Sequence, residues 1–173
     1  MERVTADLLK QFLQKLGERL DRHTSFYLVG GSALTLLGSP RETIDVDYSV
    51  EAPSRKFESV LSKLSVELRI DLERVPLEEF IPLPAQAEKR HRLVGQYGKV
   101  DVYIFDPYSI ALSKLDRGFD TDIEDVVFLV RRGLVSMAQL EQIVKETLPR
   151  AAEFDIVPGE IQDHLQAVRS ALE

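Results

Sequence analysis

The sequence contains no cysteine. That excludes a disulfide framework and any Cys-ligated metal site, and it accords with a reducing cytoplasm. No run approaches the roughly 20 apolar residues that a membrane-spanning helix requires. The N-terminal "MERVTADLLKQ" scatters charge where a secretory signal needs an uninterrupted apolar stretch, so it does not read as one. The expectation is a cytoplasmic protein with no membrane partner. Positive charge is also scarce: 22 Lys and Arg stand against 29 Asp and Glu, a net charge of −7. Binding to a nucleic-acid backbone draws on counterion release by many basic contacts, so a bulk nucleic-acid binder is disfavoured. A local basic patch for a tRNA end stays open. So does a metal-bound triphosphate, for which the cation supplies most of the positive charge. His23, His91 and His164 have no metal-ligand spacing. No repeat, low-complexity tract or linker divides the chain.

What is present is enough for a folded core: 173 residues, 44% hydrophobic, favour one domain. Thr5 is placed to cap a helix whose apolar positions Leu8, Leu9, Phe12, Leu13, Leu16 and Leu20 follow helical spacing. "SFYLV" reads as a short buried strand stopped by Gly30 and Gly31, and "SALTLLG" as a brief helix ended by Gly38. "TIDVDYSV" alternates, with Ile44, Val46, Tyr48 and Val50 on one face and Asp45, Asp47 and Ser49 on the other. A helix comes next, from Pro53 or Ser54 through Leu64. "VELRIDLERV" alternates like a strand, "PLEEFIPLPAQ" is a proline-punctuated connection, and "KRHRLVGQYGKVDVYIF" suggests two strands joined near Gly98. Beyond Pro107 the pattern is helical. One helix ends at Gly118, a second opens on the capping box Thr121–Glu124, a third on Ser136–Gln139, and a last begins after Pro158. The expected layout is an α/β part over residues 1–107 with a helical tail, 108–173, packed on it as one compact domain.

Asp45 and Asp47 are two apart on a strand, so both carboxylates leave the same face about 7 Å apart. Two such charges repel, and a divalent cation with bound phosphate resolves the conflict; an ordinary solvent-facing strand is the bland alternative. Immediately upstream, Gly30-Gly31-Ser32 ends a strand and opens a helix, presenting backbone N–H groups and a hydroxyl to an anion. It is neither a Walker loop nor a G-x-G-x-x-G fingerprint, because the glycine spacing differs and no Gly-Lys-Ser/Thr comes after it.

This combination resembles the nucleotidyltransferase superfamily, the DNA polymerase beta-like fold. Its signature is Gly-Gly/Ser, about a dozen residues, then Asp-x-Asp/Glu within a strand. Here Gly31-Ser32 is followed by twelve residues and then Asp45-Val46-Asp47. The fuller pattern "GGSAL…LLG…R-x-T-x-D-x-D" resembles the minimal bacterial and archaeal branch that includes abortive-infection-type toxins. The resemblance implies an α+β core, a small mixed β-sheet backed by helices, with a C-terminal helical segment. It also implies a third carboxylate in an apolar-acid-apolar triplet: Asp101 in "KVDVYIF" is preferred for its firmer strand pattern, with Asp71 as rival. Lys114 on one helix and Asp122 and Asp125 opening the next match the toxin-like branch, where the resemblance makes Lys114 and Asp122 nucleotide-binding. Arg41, before the metal strand, is a phosphate contact or a surface residue. The run Lys89-Arg90-His91-Arg92 either guides an acceptor or forms a solvated strand face.

The activity implied by the resemblance is that of a Mg²⁺- or Mn²⁺-dependent enzyme that moves an NMP from an NTP to a hydroxyl and releases pyrophosphate. Asp45, Asp47 and Asp101 would be the catalytic and metal-binding residues, with Gly30, Gly31 and Ser32 at the phosphates. The acceptor could be tRNA, other RNA or a protein, with a cognate antitoxin or toxin as partner. Two alternatives are a small antibiotic-type acceptor and a non-catalytic nucleotide-binding antitoxin domain.

Overall fold

The computed structural model describes residues 3–173. The chain forms two compact units, Met1–Pro76 with Arg92–Phe105, and Leu77–His91 with Asp106–Glu173. The segment 77–91, expected with the α/β part, thus belongs to the helical unit.

The first unit holds helix α1 (Ala6–Arg19), strand β1 (Thr24–Leu28), the short helix α2 (Gly31–Leu36) and strand β2 (Asp45–Ser49). Helix α3 (Arg55–Leu68) and strands β3 (Asp71–Arg74), β4 (Arg92–Tyr97) and β5 (Val100–Ile104) complete it. The Thr5 hydroxyl accepts from the Leu8 N–H and Ser54 does the same for Phe57, so both long helices start at side-chain caps. The mixed sheet has the order β3-β2-β1-β5-β4. β1 runs antiparallel to β2 and parallel to β5, β2 is parallel to β3, and β4 is antiparallel to β5.

Alternation gives the sheet two unlike faces. Phe26, Leu28, Val46, Tyr48, Val102 and Ile104 are buried on one of them. Phe12 of α1 and Phe57 of α3 meet Phe26 at ring distances of 6.0 and 6.2 Å, and Tyr48 stacks on Phe26 at 5.1 Å. The second face carries the intervening residues, Ser25, Tyr27, Asp45, Asp47, Ser49, Asp101 and Tyr103, all half-buried.

Three local expectations are revised. Ile44 is 67% exposed and precedes the strand; the buried place goes to Thr43, whose carbonyl accepts from the Val4 N–H in a short antiparallel bridge. "VELRIDLERV" is not one strand. Its first half continues α3 to Leu68, and Arg69 in the left-handed conformation turns the chain into β3. In the second unit, the helix expected from Thr121 has Phe119 as its N-cap and so begins at Asp120.

That unit contains α4 (Pro107–Arg117), α5 (Asp120–Arg131), α6 (Met137–Thr147) and α7 (Pro158–Leu172), with 3-10 turns at Leu77–Glu79, Ala87–Arg90 and Leu148–Phe154. Its interior is aliphatic, with Ile110, Leu115, Val126, Leu129, Leu140, Ile161 and Val168 fully buried. Asp106 caps α4, accepting from the Tyr108 and Ser109 N–H groups. The Asp122 carboxylate accepts from the Phe119 N–H, which sets the earlier start of α5. Among the described residues no helix is long and apolar enough to cross a membrane.

A candidate nucleotidyl-transfer site on the sheet

β1 and β2 meet so that the Val29 N–H donates to the Asp47 carbonyl, with Tyr27 opposite Ser49. That places the two aspartates of β2 level with the chain that leaves β1 through Gly30 and Gly31. Gly30 is required for contact rather than for turning. A Cβ there would lie 2.2 Å from Asp47 Oδ2 and 2.9 Å from its Cγ. A Cβ on Gly31 would lie 2.9 Å from Thr43 Oγ1 and 3.5 Å from an Arg41 guanidinium nitrogen. The glycine pair therefore lets the loop close onto β2, with Arg41 drawn in beside it.

Each carboxylate has an evident local cause. Thr43 Oγ1 donates to the Asp45 carbonyl at 3.3 Å and reaches Asp45 Oδ1 at 3.4 Å, fixing the first aspartate from two residues upstream. β3 then joins β2 in parallel, pairing Asp45 with Asp71 and Asp47 with Glu73. Carboxylate oxygens of Asp45, Asp47 and Glu73 all lie within 4.8 Å of one another. Glu73 is exposed and the two aspartates are half-exposed. Three hard oxygen donors so close suit a divalent cation such as Mg²⁺ in chemistry and number. At the start of α2, Ser32 is fully buried, and its Oγ has no hydrogen-bond partner among the described residues. A buried hydroxyl left unsatisfied costs about 1–3 kcal/mol, so this one is suited to a ligand that accepts or donates there.

The structure does not bring Asp101 to this group. Parallel pairing of β5 with β1 sets Asp101 against Ser25, four residues before Val29 and so about 13 Å along the strand from the Asp47 level. Its carboxylate instead meets His23 Nε2 at 2.7 Å. The rival Asp71 sits opposite Asp45, yet the cluster takes Glu73, two residues further on. Glu73 lies within the alternating "VELRIDLERV". The missing signal is strand order: only the β2–β3 pairing tells which later acid comes alongside Asp47.

In the helical unit, Lys114, Asp122 and Asp125 do come together, and all three are buried. The Lys114 ammonium lies 2.8 Å from Asp125 Oδ2 and 3.6 Å from Asp122 Oδ1. Arg117 holds Asp122 through two parallel bonds, Nε to Oδ2 at 2.7 Å and Nη2 to Oδ1 at 2.6 Å. Burial pushes the Asp122 carboxyl up. The Arg117 hydrogen bonds, the Lys114 and Arg117 charges and the Phe119 N–H together outweigh it and hold the carboxyl below its ordinary value. Two acids and two bases make this a closed, neutral cluster.

Within the basic run, Arg90 and His91 are committed to Asp106, while Lys89 and Arg92 are exposed. Lys89 and Arg90 lie in a 3-10 turn, and Arg90 forms a two-point ion pair with the buried Asp106, Nε to Oδ1 at 2.8 Å and Nη2 to Oδ2 at 2.9 Å. His91 Nδ1 accepts from the Asp106 N–H at 3.0 Å, which requires the proton on Nε2. Burial pushes the pKa of this imidazole down, against the pull of Asp106.

Among curated proteins none matches the chain. A crystal structure described as an antigenic nucleotidyltransferase-like protein from Paracoccidioides brasiliensis is similar in fold. It superposes with a TM-score of 0.52 at 17% identity, over 96% of this chain and 95% of that one. At that identity the likeness concerns the fold alone, an α+β arrangement around a mixed sheet. A family profile described as "Nucleotidyltransferase of unknown function (DUF6036)" matches residues 6–155, a span that takes in the glycine pair, Asp45, Asp47, Glu73 and the Lys114 cluster. The chain belongs to this nucleotidyltransferase family.

Proposed function

We propose that the protein transfers an NMP from an NTP to a hydroxyl acceptor at the site formed by Asp45, Asp47 and Glu73. The observation that carries this reading is the convergence of those three carboxylates within 4.8 Å, in the unit that also holds the unpartnered Ser32 hydroxyl. Asp45, Asp47 and Glu73 would hold Mg²⁺ or Mn²⁺, which when bound lowers the pKa of the attacking hydroxyl and neutralises charge on the phosphates. Ser32 Oγ and the N–H groups after Gly30 bind the β- and γ-phosphates, and Arg41 adds a cation at the same edge. Thr43 keeps Asp45 in place. Glu73, the most exposed of the three, accepts the proton leaving the acceptor hydroxyl. The acceptor oxygen forms its bond to the α-phosphorus as the bond to the bridging oxygen breaks, and pyrophosphate carries away the charge. Most of the acceleration comes from positioning and electrostatics.

Lys114 and Asp122 take a different role in this reading. Their polar atoms satisfy one another and Arg117, and they join α4 to α5 rather than binding the nucleotide.

The test is incubation of the full chain with each α-labelled NTP, Mg²⁺ or Mn²⁺, and total RNA or cell extract. The expected result is a labelled product formed by the wild type and not by Asp45→Asn. Equal labelling by both would overturn the site.

A further inference from the structure

Residues 37–44 lead from α2 into β2 as an irregular loop, and its isolated bridge joins Thr43 to Val4. The loop is tied at its two ends to different partners. At the start, the Gly38 and Ser39 N–H groups donate to the Thr35 and Leu34 carbonyls of α2, at 3.1 and 2.9 Å. At the far end the partner is the segment ahead of α1. The Val4 N–H donates to the Thr43 carbonyl at 2.8 Å, and Arg3 Nη1 meets Glu42 Oε2 at 2.5 Å. These two holds are unequal. The ion pair is exposed, where such pairs contribute little. Val4 is fully buried, and Thr5 after it caps α1, whose Leu9, Phe12, Leu13 and Leu16 lie in the core. The segment is anchored in the core of its unit and passes that anchorage to the loop.

Asp45 needs such support. Pairing of β1 with β2 joins Tyr27 to Ser49 and Leu28 to Tyr48, and the Val29 N–H extends it to the Asp47 carbonyl. Asp45 lies two residues beyond that ladder. On its other side stands β3, an edge strand whose Asp71, opposite Asp45, is exposed. Thr43 supplies what the ladder does not. Its hydroxyl lies 3.3 Å from the Asp45 carbonyl and 3.4 Å from Oδ1, and its side chain is what a Cβ on Gly31 would strike. One residue thus touches the glycine loop, the first carboxylate of the site and the segment ahead of α1.

We propose that Val4 and Thr43 are positioning residues for the cation site. Residues 3–5 act as a latch that holds the loop and, through Thr43, sets the direction of the Asp45 carboxylate, so latch closure and cation binding are coupled. This is a regulation of the site proposed above and rests on that reading. Such coupling is reciprocal: the factor by which an open latch weakens the cation is the factor by which the bound cation opposes opening.

Mn²⁺ binding to the full chain is followed by water-proton relaxation, well below the melting temperature. Val4→Pro removes the N–H donor and should weaken binding about 10-fold. Thr43→Val should weaken it about 10- to 100-fold, the range for a lost partner of a metal-ligating group. Thr43→Ser keeps the hydroxyl and should bind like the wild type, and Arg3→Ala should change little. Val4→Ala and Val60→Ala form a matched pair, because each trims a buried valine of the same unit, the second on α3. Both should lower the melting temperature, and only Val4→Ala should weaken Mn²⁺. Hydrogen exchange read by mass spectrometry gives the reverse measurement: saturating Mn²⁺ should slow exchange in the peptide holding the Val4 amide, again about 10-fold. The proposal is overturned if Val4→Pro and Val4→Ala bind Mn²⁺ as tightly as the wild type. An equal loss in Val60→Ala overturns it too, since the effect would then be general destabilisation, as does exchange at Val4 that ignores Mn²⁺. A wild type that binds no Mn²⁺ refutes the carboxylate site itself, and the latch with it.

Discussion

Two acidic pairs are legible in the sequence, Asp45 with Asp47 and Asp122 with Asp125, and they end in opposite physical states. On the sheet, Asp45, Asp47 and Glu73 bring three carboxylates within 4.8 Å, at half-exposed and exposed positions. In the helical unit, Asp122 and Asp125 are buried, and Lys114 and Arg117 neutralise them at 2.6 to 3.6 Å. Water reaches the first cluster, so ions and phosphates can exchange there. The second has exchanged water for fixed partners, and removing one partner leaves a buried charge, which is expensive. Acids at helical or strand spacing look alike in a sequence; the cations folding beside them and the access of solvent separate an open cluster from a closed one.

The contrast can be broken at either end. The largest effect should come from Asp47→Ala: transfer should fall about 10⁴-fold, roughly 5.5 kcal/mol of barrier, with a melting temperature close to that of the wild type. Retained transfer would remove the sheet cluster from the chemistry. Lys114→Met should do the reverse. Leaving Asp122 and Asp125 without their ammonium should cost about 3–5 kcal/mol of stability, on the order of 10 °C in melting temperature, while the folded fraction still binds NTP. A variant that melts normally yet has lost NTP binding would reassign Lys114 to the nucleotide.

A smaller effect distinguishes the two acids that compete for third place on the sheet. Glu73→Gln should weaken Mn²⁺ binding, measured by paramagnetic relaxation or calorimetry, by about 10²-fold, whereas Asp101→Asn should leave it unchanged. Equal losses in the two variants would contradict the register between β1 and β5.

The sequence discloses the parts whose cause is local. The alternation around Asp45 and Asp47 and the caps Thr5 and Ser54 depend on neighbours a few residues away, whereas Gly30 and Gly31 stand out by residue type although it is the distant Asp47 and Thr43 that require them. Glu73 is not legible because strand order decides its place. The triplets around Asp71 and Asp101 look alike, yet β3 lies beside β2 whereas β5 lies on the far side of β1. The same non-local pairing carries Asp101 to His23. Thr43 is hidden for another reason: its neighbour Ile44 satisfies the alternating pattern better, and only the bridge to Val4 reveals which of the two is inside.

The smallest effect tests the closed cluster through pH. Asp122 is held below its ordinary pKa because Arg117, Lys114 and the Phe119 N–H outweigh its burial, and Asp125 shares the same ammonium. A carboxyl lowered on folding contributes stability that is fully present above its unfolded pKa, about 3.9. That stability is lost as pH falls through the lower folded value. Asp116 on α4 acts in the opposite sense. Burial and Glu160 raise its pKa, against the pull of His164, so its protonation on acidification favours the folded state. Comparing urea unfolding of the wild type and Asp122→Asn from pH 5 downward cancels the Asp116 contribution, which both proteins share. The stability difference should shrink below about pH 4, by no more than about 1.4 kcal/mol per pH unit for one proton. A difference that stays constant with pH would mean that Asp122 is not the ionised partner of Arg117 and Lys114, and the distinction between a closed ionic cluster and an open carboxylate site would lose its electrostatic basis.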